Sequence, residues 1–390
     1  MDAIRQFNYH ANQVLYFGAG RFTELPRLID EIGNNVLLVH GASIMDNPKW
    51  DHFLDALAKL SIRTHELISE GEPSPEAVDE AAEEYRRKSV HAVIAVGGGS
   101  AVDLGKAVSA MIPQKGSVTD FLEGVGKKKH DGYKVPFIAV PTTAGTGSEA
   151  TKNAVISRLG KKGYKKSLRQ DNLIPDIALV DPELTLSCPH EVTAASGLDG
   201  LTQLIESYVS VKATPVTDAL VLSALEGYTR AFEGVLADSG DIGARTWMSY
   251  MAYCSGAALA NSGLGTIHSL AGELGALKPV PHGVLCGTLL AAGHRANIEA
   301  MEKNPSKYET ALAKYSRVGN LLAGKDCGLD GCGVLTGMLD KWVGELGLPK
   351  LGEAGYTRQE MEEAASRAEN KNNPVELDSA ARVKILMERY

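Results

Sequence analysis

The sequence predicts an α/β nucleotide-binding domain over residues 1–188 followed by an all-α domain over residues 189–390. Short, wholly apolar runs alternate with amphipathic helical stretches as far as Cys188-Pro189. Beyond that dipeptide the periodicity is helical, with no convincing strand through to Tyr390. A chain of 390 residues also exceeds one ordinary core and suits two.

In the first half the runs are VLLVH (36–40), AVIAV (92–96), FIAV (137–140) and IALV (177–180). Apolar stretches of four or five residues with helices between them indicate strands buried on both faces, hence a parallel, doubly wound sheet. Ligands of such sheets sit beyond the strand C-termini. In the second half Leu198, Leu201, Ile205 and Tyr208 recur at helical spacing. No low-complexity linker joins the halves, so a tight junction near Pro189 with a cleft beside it is expected.

The net charge of −8 argues against nucleic acid or an anionic membrane surface as a partner, since either would need a large basic face. The lysines at 127–129 and Lys161, Lys162, Lys165 and Lys166 are local clusters of the kind found on solvated loops. The 5 cysteines are odd in number and scattered, which suits a reducing compartment. The N-terminus lacks a leader pattern and no apolar stretch is long enough to span a bilayer. A cytoplasmic protein without membrane attachment is expected.

Three constellations carry chemistry. The run AVIAV leads into Gly97, Gly98, Gly99 and Ser100 and then a helix, a turn where bare backbone can approach a pyrophosphate at a helix N-terminus. Taken alone it reads as a phosphate cradle or as a tight turn, being neither GxGxxG nor a P-loop. The run FIAV leads into PTTAGTGSEA, dense in hydroxyls and glycine, which reads as a ligand loop or a Ser/Thr-rich connection. In the helical half Asp199 and Gln203 stand at i and i+4, while His268 and His282 flank a glycine- and proline-rich reversal. These four could form a divalent-metal site, or an exposed polar stripe beside two unrelated histidines.

Together these residues resemble the iron-containing (group III) alcohol dehydrogenase family. The landmarks are FGAGR (17–21), GGGSAVDLGKA (97–107), PTTAGTGSEAT (141–151), VDPEL (180–184), GLDGLTQLIESYVS (197–210), GLGTIHSLAGELG with PHG (263–283) and ENKNNP (369–374). The resemblance implies a Rossmann-like domain followed by a helical one, and a metal-dependent hydride transfer between NAD(P)(H) and a small alcohol, aldehyde or ketone. It assigns the pyrophosphate to Gly97, Gly98, Gly99 and Ser100, with Asp103 in the same segment, and the nicotinamide end to Thr142, Thr143 and Thr146. It puts Lys165 beside the cofactor, and makes Asp199, His268 and His282 catalytic metal ligands for Fe²⁺ or Zn²⁺, with Gln203 in the fourth position. A homodimer is expected.

Two residues depart from the family pattern: Gln203 stands where a histidine is common, and Gly272 where many relatives carry a further histidine near the substrate. They support an alternative, a non-catalytic nucleotide-binding relative that has lost its metal. Dehydroquinate synthase-like lyases and glycerol-phosphate dehydrogenases share the same plan, but the intact PTTAGTGSEAT and ENKNNP favour the alcohol dehydrogenase branch. Cofactor choice turns on the residues after VLLVH. NAD-preferring relatives place an aspartate there to bind ribose hydroxyls, whereas this chain has Gly41, Ala42 and Ser43, which leave room for a 2′-phosphate. NADP is therefore the favoured cofactor.

Overall fold

The computed structural model describes residues 4–161 and 163–390; Met1–Ala3 and Lys162 of the second basic cluster lie outside the described residues. Two compact units emerge. One holds His10–Arg158 and Lys165–Pro189; the other holds His190–Tyr390 with the described residues of positions 1–9 and 159–164.

The first unit carries β1 (Val14–Phe17), α1 (Leu25–Asp30), β2 (Asn35–Gly41), α2 (Pro48–Lys59), β3 (Arg63–Ser69), α3 (Pro75–Arg87), β4 (Ala92–Gly97), α4 (Gly99–Met111), β5 (Phe137–Pro141), β6 (Asn153–Arg158), all but the first residue of β7 (Tyr164–Arg169), and β8 (Ile177–Val180). Six strands form one sheet in the order β1-β8-β5-β4-β2-β3, and every pairing in it is parallel. The chain passes outward from β2 to β3, then returns to the other side of β2 and continues through β4, β5 and β8. The direction of winding thus reverses between β2 and β4, and the C-terminal ends of those strands are Gly41 and Gly97.

Both sheet faces are covered, which is why the central strands read as unbroken apolar runs. Val36, Leu38, Ile94, Val96, Ile138, Val140 and Leu179 pack with Leu25, Leu28, Trp50, Phe53 and Leu57 of α1 and α2. On the opposite face α4 lies so close that a Cβ at Gly105 would stand 2.8 Å from Ala95 Cβ and 3.0 Å from Phe137. The strands without such runs are the outer ones. In β3 Arg63, Glu66 and Ile68 are exposed and the rest half-buried, and in β1 Val14 and Leu15 are exposed, so neither has the two-sided burial that marks β4 and β5. A separate two-stranded sheet, β6 with β7, follows the hydroxyl-rich loop.

The second unit is helical: α5 (His190–Val209), α6 (Pro215–Leu225), α7 (Tyr228–Ala237), α8 (Ile242–Ser262), α9 (Thr266–Leu277), α10 (His282–Glu302), α11 (Glu309–Ala323), α12 (Gly331–Glu345), α13 (Arg358–Arg367) and α14 (Ser379–Glu388). Capping boxes at Thr214/Thr217 and Thr357/Glu360 satisfy the first turns of α6 and α13. Helix α5 is the axis of the unit. It is buried almost all round, so Asp199 and Gln203 lie inside rather than on a solvated stripe. Two glycines let α10 press on its neighbours: a Cβ at Gly283 would meet Ala195 O at 2.8 Å, and one at Gly293 would meet Ile267 Cγ1 at 2.4 Å. Those close approaches bring the start of α10 against α5 and its middle against α9. Among the described residues no helix is long and apolar enough to cross a membrane.

Candidate active site

The metal-ligand candidates converge within the helical unit. Asp199 projects from the middle of α5, His268 from the first turn of α9, and His282 is the first residue of α10. His268 Nε2 is 3.3 Å and His282 Nε2 3.9 Å from Asp199 Oδ1. Cys286, one turn after His282 on α10, brings Sγ to 3.5 Å from His282 Nε2. One donor atom from each of the four lies within 4.8 Å of all the others. Donors 2.0–2.3 Å from a tetrahedral ion stand about 3.3–3.8 Å apart, so these spacings fit a shared cation.

Electrostatics support the same reading. Asp199 Oδ1 and His268 Nε2 are buried and have no hydrogen-bond partner, although they face each other. Burial opposes a charge on Asp199, but His268 and His282 outweigh it and hold the carboxyl below its usual range. Burial likewise opposes a charge on His268, but Cys286, Asp199 and Glu206 around it hold its pKa well above the ordinary value. A site that gathers a carboxylate and imidazole nitrogens around unsatisfied atoms fits a divalent cation.

Gln203 is brought to the site but does not offer its oxygen to it. Its Nε2 donates to Asp199 Oδ2 at 3.1 Å, and its Oε1 accepts from Ser255 Oγ at 2.9 Å. In this arrangement the carboxamide is hydrogen-bonded to Asp199 and Ser255, and the Cys286 thiol lies among the donor atoms. The sequence spacing of His282 and Cys286, four residues apart on one helix, was the available signal for that thiol.

In the other unit, three loops meet at the sheet's winding reversal. Gly98 is the N-cap of α4 and no side chain caps that helix. A Cβ at Gly99 would stand 2.7 Å from Thr146 Cγ2, one at Gly98 3.5 Å from Thr143, and one at Gly97 3.2 Å from Gly41 N. Thr142 N–H donates to Gly97 O at 3.0 Å. The structure thus gathers Gly41, Gly97, Gly98, Gly99, Thr142, Thr143 and Thr146 at one sheet edge, with Ser100 in the first turn of α4 and Ser43 exposed beyond Gly41. Free N–H groups at a helix N-terminus with no bulk around them suit a diphosphate.

Residues 12–182 match the family model described as iron-containing alcohol dehydrogenase, and residues 193–390 match that of the Fe-containing alcohol dehydrogenase family, C-terminal. The chain belongs to the iron-containing alcohol dehydrogenase family. It is 34% identical over 293 residues to long-chain-alcohol dehydrogenase 1 of Geobacillus thermodenitrificans, covering 75% of this chain and 71% of that one. It is 36% identical over 213 residues to the NAD-dependent methanol dehydrogenase of Bacillus methanolicus, covering 55% of each. The solved structure of a 1,3-propanediol oxidoreductase superposes with a TM-score of 0.88 at 26% identity, covering 99% of this chain and 100% of that one. As a member of this family the chain is an alcohol dehydrogenase-type oxidoreductase.

Within this family member the segment ENKNNP has a structural task. Asn373 and Asn297 exchange hydrogen bonds of 2.7 and 3.1 Å, and Asn373 Oδ1 lies where a Cβ at Gly265 would come within 2.7 Å. Asn372 N–H donates to Leu264 O at 3.2 Å. The asparagines thereby clamp the turn that launches α9 and its His268.

Asp103 and Lys165, both expected beside the cofactor, also have protein partners. Asp103 accepts from the Ser148 hydroxyl and from Val155 N–H at 2.9 Å, so it fastens the hydroxyl-rich loop to β6. Lys165 pairs with Glu72, which also accepts from Ser157 Oγ at 2.6 Å. Each buried or half-buried charge found a protein partner because leaving it bare would cost more. Sequence reasoning missed Lys106, which is fully buried and donates to Ser148 O and Thr151 Oγ1 at 2.7 Å and Asn153 O at 2.9 Å. It holds the far end of the Thr142–Thr146 loop.

Proposed function

We propose that this oxidoreductase interconverts alcohols with aldehydes or ketones, using a nicotinamide cofactor and one divalent cation held by Asp199, His268 and His282. The observation that carries this reading is the convergence of those three side chains around two buried, unsatisfied atoms, Asp199 Oδ1 and His268 Nε2. A cation there supplies Lewis acidity that polarises a carbonyl for hydride attack and stabilises an alkoxide in the reverse direction. Glu206 fixes the His268 tautomer by accepting from Nδ1, which leaves Nε2 free as a donor to the cation. Gln203 holds Asp199 in its rotamer from the side away from the histidines.

The glycines 97–99 and the Thr142–Thr146 loop are the proposed cofactor cradle. Gly41 supports a preference for NADP(H), because no carboxylate stands at the end of β2 to repel a 2′-phosphate. At Gly272 an added Cβ would meet nothing within 4 Å. That open space supports substrates larger than acetaldehyde. With no imidazole at 272, the alcohol proton would pass through water and the cofactor ribose hydroxyls.

We further propose a cytoplasmic homodimer. None of the five cysteines is in a disulfide, in keeping with a reducing compartment, and β1 is an edge strand with Val14 and Leu15 exposed. The test of function is metal analysis together with a panel of aldehydes and ketones assayed with NADH and NADPH. One divalent ion per chain and cofactor-dependent carbonyl reduction are expected. A chain that takes up no metal after metal-supplemented expression and turns nothing over would be a nucleotide-binding relative instead.

A further inference from the structure

We infer that Cys286 is the fourth ligand of this cation, so that the site is an Asp-His-His-Cys set selective for Zn²⁺ over Fe²⁺. The inference rests on the proposed metal site and adds a donor and a metal identity to it.

Four observations carry it. Cys286 is fully buried on α10, one turn below His282, and its Sγ belongs to the group of donor atoms within 4.8 Å of one another. The 3.5 Å from Sγ to His282 Nε2 matches the spacing expected of two donors on one ion. Gln203, the sequence-expected candidate for the position, has its carboxamide oxygen taken by Ser255 and its nitrogen by Asp199. Asp199 Oδ1 and His268 Nε2, which face the same space, have no hydrogen-bond partner, so the cluster points at a ligand that the protein's own groups do not supply.

The chemistry then follows from donor softness. A neutral carboxamide oxygen is a weak donor, whereas a thiolate prefers Zn²⁺ to the harder Fe²⁺. On loading, the Sγ–H bond breaks, the proton leaves to solvent, and the sulfur lone pair forms the new bond; nothing is oxidised or reduced. Zinc expands to five-coordination, so four protein donors still leave a place for a substrate oxygen.

The test uses the full chain, stripped with a chelator and reloaded anaerobically with Co²⁺. Wild type should show cobalt d–d bands together with an intense near-ultraviolet thiolate-to-cobalt charge-transfer band. Cys286→Ser should keep the d–d bands and lose the charge-transfer band. In competition with equimolar Zn²⁺ and Fe²⁺, wild type should take up predominantly Zn²⁺, and Cys286→Ser should lose at least tenfold of that preference. Bound cobalt without a charge-transfer band in wild type would refute Cys286 as a ligand while leaving Asp199, His268 and His282 in place. The same band persisting in Cys286→Ser would refute it too, by pointing to another thiol. No cobalt uptake by wild type would overturn both this inference and the metal site on which it rests.

Discussion

Glu206 accepts a hydrogen bond from His268 Nδ1 at 2.7 Å while its other oxygen accepts from Ile267 N–H, also at 2.7 Å. One buried carboxylate thus sets both the ring and the backbone at the start of α9. Partners of this kind raise ligand basicity and hold the ring in register with the ion. Glu206→Gln, which keeps the shape and removes the charge, should lower metal affinity by about 10- to 100-fold. Chelator competition on the folded protein checks this, and an unchanged affinity would mean that Glu206 only caps the helix.

Ligands and orienting residues should separate in a second series. His268→Ala and His282→Ala each remove a strong donor, so both should lose metal and turnover with circular dichroism unchanged. Gln203→Ala removes only the hydrogen bond at Asp199 Oδ2 and should weaken metal binding by about 10- to 100-fold without abolishing it, in line with the net worth of about 1.5–3 kcal/mol of one hydrogen bond to a charged group. A loss as complete as that of the histidine variants would return Gln203 to the ligand set.

Gly41 can be replaced without a clash, since an added Cβ there meets nothing within 4 Å. Gly41→Asp should therefore fold normally and shift preference from NADP(H) toward NAD(H), with the ratio of kcat/KM values moving by at least about tenfold, or 1.4 kcal/mol. A wild-type preference for NADH of that size would contradict the room left at Gly41.

Gly99 offers the opposite case. A methyl group there would stand 2.7 Å from Thr146 Cγ2, which forces the hydroxyl-rich loop away from the α4 N-terminus. Gly99→Ala should raise the KM for the cofactor about tenfold or more with metal content intact, because pyrophosphate positioning depends on that approach. Equal KM values in the two proteins would take the cofactor elsewhere.

Glu149 and Lys106 predict an uneven pH dependence of stability. Burial lifts the Glu149 carboxyl to about 7, so between pH 4.5 and 7 the native chain keeps a proton that the unfolded chain releases. Stability must then fall as pH rises through that window. Burial also pushes Lys106 down to about 8, so above that the unfolded chain binds the extra proton and stability recovers toward pH 10.5. Glu149→Gln should gain on the order of 2 kcal/mol over wild type at pH 8 relative to pH 5. Urea unfolding at the two pH values measures it, and parallel losses in both proteins would assign the dependence to other groups.

Much of this was legible in the chain itself, for identifiable reasons. Strands β2, β4, β5 and β8 announce themselves because two-sided burial demands unbroken apolar runs, and the glycines after β4 announce a close approach that any side chain would block. The outer strands β1 and β3 are silent, since one-sided burial and edge position remove that demand. Spacing also put Asp199 beside Gln203 and separated both from the helix's main apolar stripe. What spacing could not say is which way a carboxamide turns. That depended on Ser255, a residue 52 positions away on another helix, which captured the Gln203 oxygen. Cys286 entered the donor set because Gly283 and Gly293 allow α10 to close on α5 and α9. Asp103 and Lys165 turned to Ser148, Val155 and Glu72 because charges shielded from water take the nearest partner. Periodicity and residue type, which act along the chain, were determined by the sequence alone; the partner of each buried polar atom was decided only when distant segments were brought within 3 or 4 Å.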